Sequence, residues 1–310
     1  MLIRITTTMA ILALASVGMP AQEVVNRWEE TRGGVVTALD ENTLTGKEYA
    51  ADGIIDDWAS LLSEFKESEA SGELEDIPGI KGMTAESVTV RGHNGVEYSL
   101  PRILDESGAD LFMLTDDGIA IYMALDAPAY FQDVDSEVTR WVRFYAVKKR
   151  AWTERVFRRY ERWEPFVKEA LRREGVPEEL GELCLIESGC TADALSKAGA
   201  LGMWQIMPAT GRSYGMTIDA LTDERTDQTR STLVAARILR DNHKATGDWT
   251  LAAAAYNCGA GRIGRARGGR PVTDWESAKS RLPEETRNYI PGLLAIHYLW
   301  TYRKELGLNR

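Results

Sequence analysis

From about Asp135 almost to the C-terminus, apolar residues recur at three- and four-residue steps, the spacing that gathers them on one face of a helix. Trp141, Phe144, Tyr145 and Val147 predict one helix; Val156, Tyr160, Trp163, Phe166, Val167 and Leu171 predict another, ending near Gly175. Pro177 opens a third, with Glu178 and Glu179 suited to the positive helix end. A fourth follows Asp227, and Asp248 is the expected N-cap of a short Ala-rich fifth over Trp249 to Tyr256. Pro283 opens a last helix that Pro291 is expected to kink or break. A chain with this pattern has to form an all-α unit over its second half, and no repeat of 20 to 50 residues is visible in it.

The first half is less regular. Arg4 precedes an apolar stretch from Met9 to Val17, with small residues around Gly18 and Ala21 and no further charge until Glu23. This pattern predicts a secretory signal peptide over residues 1–21, the apolar part being shorter than the ~20 residues a spanning helix needs. An uncleaved membrane anchor is the alternative. The expected location is then the periplasm or cell envelope, where an oxidising milieu leaves at least one of the 3 Cys unpaired within the chain. Ile54, Trp58, Leu61, Leu62 and Phe65 predict an amphipathic helix between Gly53 and Glu69, before a Gly- and Pro-punctuated linker to Gly82. Two hairpins are expected: Val88 to Leu100 turning at Asn94-Gly95, and Leu111 to Met123 turning at Asp116-Asp117-Gly118. The expected organisation is a helical or mixed N-terminal region over 22–150 and a catalytic domain over 151–310.

Composition excludes some functions. The 37 basic residues against 47 acidic ones give a net charge of -10 with no basic run, which argues against a nucleic-acid partner. There is no CxxC and no HExxH, so no metal or cofactor is assigned.

Glu187 is the informative anomaly. On the helix from Pro177, Leu180, Leu183 and Cys184 form the apolar stripe, and Glu187, seven residues after Leu180, falls on it. Burial and the negative helix end before Gly189 both raise a carboxyl's pKa, which suits a general acid. A Glu reaching solvent at a frayed helix end is the competing reading. Between Ala194 and Ile218 there is no acidic residue, so the usual pair of glycosidase carboxylates is not evident.

The surrounding motifs carry a resemblance. Glu187-Ser188-Gly189, Ser196-Lys197-Ala198-Gly199-Ala200-Leu201-Gly202-Met203-Trp204-Gln205, Ala255-Tyr256-Asn257-Cys258-Gly259 and Glu285-Thr286-Arg287-Asn288-Tyr289 stand in an order and spacing that resemble the catalytic domain of the soluble-type (SLT) lytic transglycosylases. The likeness spans about Tyr160 to Ile296 and is nearest to the membrane-bound D group. It implies a lysozyme-like, mainly α fold and cleavage of the bond between N-acetylmuramic acid and N-acetylglucosamine in peptidoglycan glycan strands. In the implied reaction Glu187 acts as acid and then base, the muramic N-acetyl group assists, and a 1,6-anhydro sugar is released without water. A hydrolytic muramidase on the same fold, or an idle wall-binding protein, are the alternatives.

By the same resemblance Ser196, Met203, Gln205, Tyr256, Asn257 and Tyr289 bind substrate. The Tyr256 hydroxyl is expected to reach and orient Glu187, while Tyr289 closes the cleft from another side. An ordinary turn serine, a core methionine and core tyrosines are the competing readings. Arg262, Arg265, Arg267 and Arg270 form either a solvated loop or an attractor for anionic stem peptides. Neither the LysM repeats usual in the D group nor a lipid-carrying cysteine near the leader is seen in this sequence. Because the Glu187 and Tyr256-Asn257 motifs must converge on one glycosidic bond, Cys190 and Cys258 are the expected disulfide pair, with Cys184 reduced. Three separate thiols are the alternative.

Overall fold

The computed structural model describes residues 57–74, 86–91, 97–126, 128, 130, 136–266 and 275–308. The expected leader, the Asn94-Gly95 turn, Ile54, Arg267 and Arg270 lie outside the described residues. The fold is mainly α. Helices α1 (Trp58–Ala70), α2 (Asp116–Asp126) and α3 (Ser136–Arg143) precede α4 (Arg150–Arg173). Next come α5 (Leu183–Ser188), α6 (Pro208–Ser213), α7 (Gln228–Thr246), α8 (Trp249–Cys258), α9 (Ala260–Ala266), α10 (Trp275–Lys279) and α11 (Glu284–Thr301). Strands β1 (Glu86–Arg91) and β2 (Glu97–Arg102) form an antiparallel pair in which Val88 faces Leu100.

The helix boundaries follow from local chemistry. Asp227 and Asp248 accept the backbone N–H of Arg230 and Leu251, each satisfying a donor left free at a helix start. Asp57 does the same for Ser60 at the start of α1. Pro291 lies inside α11 without ending it, held in a helix whose inward face from Tyr289 to Trp300 is almost wholly buried.

The second expected hairpin is not formed. Leu111–Leu114 is a 3-10 turn and Asp116–Asp126 is α2. Asp116 and Asp117 occupy the first turn, where carboxylates suit the helix dipole, and the Thr115 hydroxyl accepts the Gly118 N–H as a cap. Gly118 is required by packing, not by a turn: a Cβ there would lie 2.0 Å from the Phe112 carbonyl oxygen.

One apolar core runs from Trp58 to Leu308. Its N-terminal part is aromatic. The Trp141 ring stacks on Phe65 at 3.8 Å and on Trp58 at 5.1 Å, and both α1 and α3 pack against α11. Gly292 makes this approach feasible, since a Cβ there would sit 2.8 Å from the Trp58 ring. No helix among the described residues is long and apolar enough to cross a membrane.

Candidate active site

The short 3-10 turn Glu178–Glu182 and α5 carry Glu187 inward. All six residues of α5 are buried, and Glu187 retains only 8% of its surface. Gly189 ends the helix at φ 58, and the Gly189 and Cys190 N–H groups turn back to the carbonyls of Leu185 and Cys184. The carboxyl therefore stands at a closed, buried helix end.

Tyr289 donates its hydroxyl to Glu187 Oε1 at 2.5 Å across 102 residues of sequence. Burial pushes the Glu187 carboxyl from an ordinary 4.5 up to about 8; the Tyr289 bond pulls downward, and the like charges of Glu285 and Asp57 push further up. Such a group is mostly protonated at neutral pH and becomes a base once its proton has gone.

The positioning of the two tyrosines differs from the sequence expectation. Tyr289 orients Glu187, whereas the Tyr256 hydroxyl donates to the Trp204 carbonyl at 2.7 Å and so ties α8 to the glycine-containing loop. The reason is helix placement: α11 packs directly on α5 and carries Tyr289 to the carboxyl. Tyr289 is itself braced by Trp58, whose ring meets it edge-on at 5.2 Å. Nothing in the sequence around Trp58 signalled this contact, because α1 and α11 are far apart along the chain and meet only once it has folded, where Lys66 also pairs with Glu284 at 2.6 Å.

The loop from Ala194 to Met207 is a set of tight turns. Gly202 has φ 86, and a Cβ there would lie 2.1 Å from the Arg225 carbonyl oxygen. Buried Arg225 holds the loop by donating Nη1 to the carbonyls of Gly199 and Ile206, a role that no motif around it marks. Gln205 is one of two non-glycine residues with positive φ among the described residues. Its Nε2 donates to the Ala194 and Gly202 carbonyls at 2.8 and 3.0 Å, while its Oε1 is buried without a partner. A donor-hungry carbonyl of this kind is what a ligand N–H or hydroxyl would satisfy.

Other expected residues fall differently. Ser196 Oγ accepts the Ala200 N–H at 3.0 Å and closes the Ser196–Gly199 turn. Met203 is wholly buried, the core position that was the competing reading, and the Ser188 hydroxyl donates to its carbonyl at 2.8 Å. Trp204 is likewise core, its Nε1 donating to Thr232 Oγ1 at 2.8 Å. Asn257 Oδ1 accepts from Thr286 Oγ1 at 2.8 Å, and its Nδ2 faces Glu285 Oε1 at 3.4 Å, which joins two motifs through side chains. Arg262 and Arg265 are exposed on α9.

The expected Cys190–Cys258 bridge is not formed: none of the three cysteines is bonded to another in this structure. Cys190 Sγ lies 2.9 Å from Cys184 Sγ, because the left-handed turn at Gly189 and Cys190 folds the chain back over α5. Cys258 instead sits half-buried at the end of α8.

Residues 164–275 match the family model described as the transglycosylase SLT domain. Over 146 residues the chain is 38% identical to membrane-bound lytic murein transglycosylase D of Escherichia coli (strain K12), a match covering 45% of this chain and 31% of that protein. Among solved structures it is similar to the 70 kDa soluble lytic transglycosylase SLT70 of Escherichia coli, with TM-score 0.39, 16% identity and coverage of 99% of this chain and 52% of that one. A lytic transglycosylase Slt from Pseudomonas aeruginosa gives TM-score 0.39 and 18% identity over 61% of this chain and 44% of that one. The chain thus spans about a third of its curated relative and about half of these two structures.

Proposed function

We propose that this chain, a member of the transglycosylase SLT domain family through residues 164–275, is an exported lytic transglycosylase that cleaves the MurNAc–GlcNAc β-1,4 bond of peptidoglycan and leaves a 1,6-anhydro-MurNAc end. The observation that carries the reading is the buried Glu187 carboxyl, raised to about 8 and held by Tyr289. Protonated at neutral pH, it gives its proton to the glycosidic oxygen as the bond breaks. The substrate's own N-acetyl group stabilises the developing positive charge at the anomeric carbon. Glu187, now a carboxylate accepting the Tyr289 hydroxyl, takes the proton from the sugar's 6-hydroxyl, and that oxygen closes on the anomeric carbon. The proton returns to Glu187, so no water is consumed and the enzyme is regenerated.

The remaining groups have tasks of binding and orientation. The unpartnered Gln205 Oε1 accepts an acetamido N–H or a sugar hydroxyl. Asn257 and Glu285, joined through Nδ2 and by way of Thr286, form a polar edge beside the carboxyl. The cell envelope is the site of action, in keeping with the leader-like N-terminus and with a curated relative named as membrane-bound.

Glu285 supports one second reading. Its charge is felt by Glu187, and a carboxylate there can activate water, which would make the chain a hydrolytic muramidase. Mass spectrometry of purified peptidoglycan digested by the chain tests both. Products one water lighter than reducing muropeptides are expected; reducing ends would establish hydrolysis, and an undigested wall with wild-type protein would sink the enzymatic reading.

A further inference from the structure

Cys184 and Cys190 bracket Glu187 in sequence and meet one another in space. Their Sγ atoms are 2.9 Å apart, and the side chains retain 0% and 4% of their surface. A bridge would need a sulfur movement of only about 1 Å. The backbone at Cys190 is unusual. Its φ is 58, and among the described non-glycine residues only Gln205, at 46, also has a positive φ; a left-handed conformation costs an ordinary side chain free energy.

The turn that imposes this conformation is fixed from several sides. Arg159 Nη1 donates to the Gly189 carbonyl at 3.0 Å and to Thr191 Oγ1 at 2.9 Å. Ser188 Oγ accepts the Thr191 N–H at 3.1 Å and donates to the Met203 carbonyl at 2.8 Å. Val156 closes the remaining side, since a Cβ on Gly189 would come within 2.8 Å of it. Cys190 therefore cannot swing toward another partner without dismantling the turn, and its sulfur is held on that of Cys184.

We infer that Cys184 and Cys190 are a disulfide-forming pair, a covalent clasp across the helix end that carries Glu187, with Cys258 left as the free thiol. The pair is shielded once the chain has folded, so the bond forms during folding, when both sulfurs are reachable. A small-molecule disulfide is the oxidant. The Cys190 thiolate attacks one of its sulfurs and releases the first thiol; Cys184, giving up its proton to solvent, attacks the Cys190 sulfur and expels the second thiolate, which takes up a proton. Two protein thiols and one oxidant disulfide become one protein disulfide and two oxidant thiols. The inference stands on the thiol geometry alone and does not depend on the proposed reaction.

The experiment refolds the reduced, denatured full chain in a reduced/oxidised glutathione buffer, alkylates under denaturing conditions and maps the cysteines by mass spectrometry. The expected result is one alkylated cysteine, Cys258, and a fragment joining residues 184 and 190. Three alkylated cysteines, or any bridge through Cys258, would overturn the inference. Two variants keep the answer clear should the yield of refolded wild type be low. Cys258→Ala, isolated folded from an oxidising compartment and alkylated directly, is expected to show the bridge; Cys190→Ala treated alike is expected to show two free thiols. A reductant is expected to lower the Tm of Cys258→Ala and leave that of Cys190→Ala unmoved, and equal behaviour of the two would count against the clasp.

Discussion

The Glu187→Gln variant should become more stable than the wild type as pH rises. Folding raises this carboxyl's pKa, so the unfolded chain releases its proton near 4.5 while the folded chain keeps it to about 8. Between those values the unfolded state binds fewer protons, and stability falls with rising pH by up to about 1.4 kcal/mol per pH unit. The whole interval corresponds to about 5 kcal/mol, an upper figure because a slight opening of the helix end would hydrate the carboxylate. A glutamine cannot ionise, and its carbonyl still accepts the Tyr289 hydroxyl, so the variant escapes this loss. Below pH 4.5 both proteins carry an uncharged group at the site and should be nearly equal; by pH 9 the variant should lead by several kcal/mol. Urea denaturation followed by tryptophan fluorescence at four pH values gives the two curves, and subtracting one from the other removes every other titrating group, His297 with its Glu182 partner included. A difference that stays flat from pH 4.5 to 9 would refute the buried, protonated carboxyl on which the proposed chemistry depends. In peptidoglycan digestion the same variant should be inactive.

Tyr289→Phe removes the bond that favours the charged form of Glu187, worth about 1.5 to 3 kcal/mol, so the alkaline limb of the activity profile should move to higher pH while kcat falls about ten- to a hundredfold; a downward move would contradict the assignment. Gly202→Ala should cost about 2 to 5 kcal/mol in urea denaturation, from the left-handed backbone together with the clash on Arg225, whereas Gly199→Ala, with φ 89 and no atom within 4 Å of its Cβ, should cost only the backbone share. Trp58→Ala should lose about 3 to 5 kcal/mol of stability. Trp58→Phe should recover most of that, because the Trp58 indole N–H has no partner to lose; an alanine variant as stable as wild type would show that α1 does not brace Tyr289.

What could be read from the sequence was what neighbours along the chain decide. The apolar spacing at 156, 160, 163 and 167, Asp227 and Asp248 as caps, and Glu187 on the stripe of Leu180 and Leu183 all express contacts within a few turns of one helix, where backbone geometry fixes which side chains share a face. That the stretches around Val88 and Leu100 pair as antiparallel strands is legible for the same reason, through strand alternation. Asp116-Asp117-Gly118 shows where such reasoning is ambiguous: those residues suit a tight turn and a helix start equally well, and the Gly118 approach to Phe112 settled it.

Which distant groups meet was decided by tertiary packing. Tyr256 and Tyr289 offer the same hydroxyl from equally suggestive motifs, and only the seating of α11 on α5 determined that Tyr289 takes Glu187 while Tyr256 takes Trp204. The same holds for Trp58, for Arg225 beneath the glycines, and for Cys190, turned by a left-handed step toward Cys184 and away from Cys258. Each of these contacts depends on the summed shape of many side chains across helices that no local period relates, so the energy that selects it exists only once the core has closed.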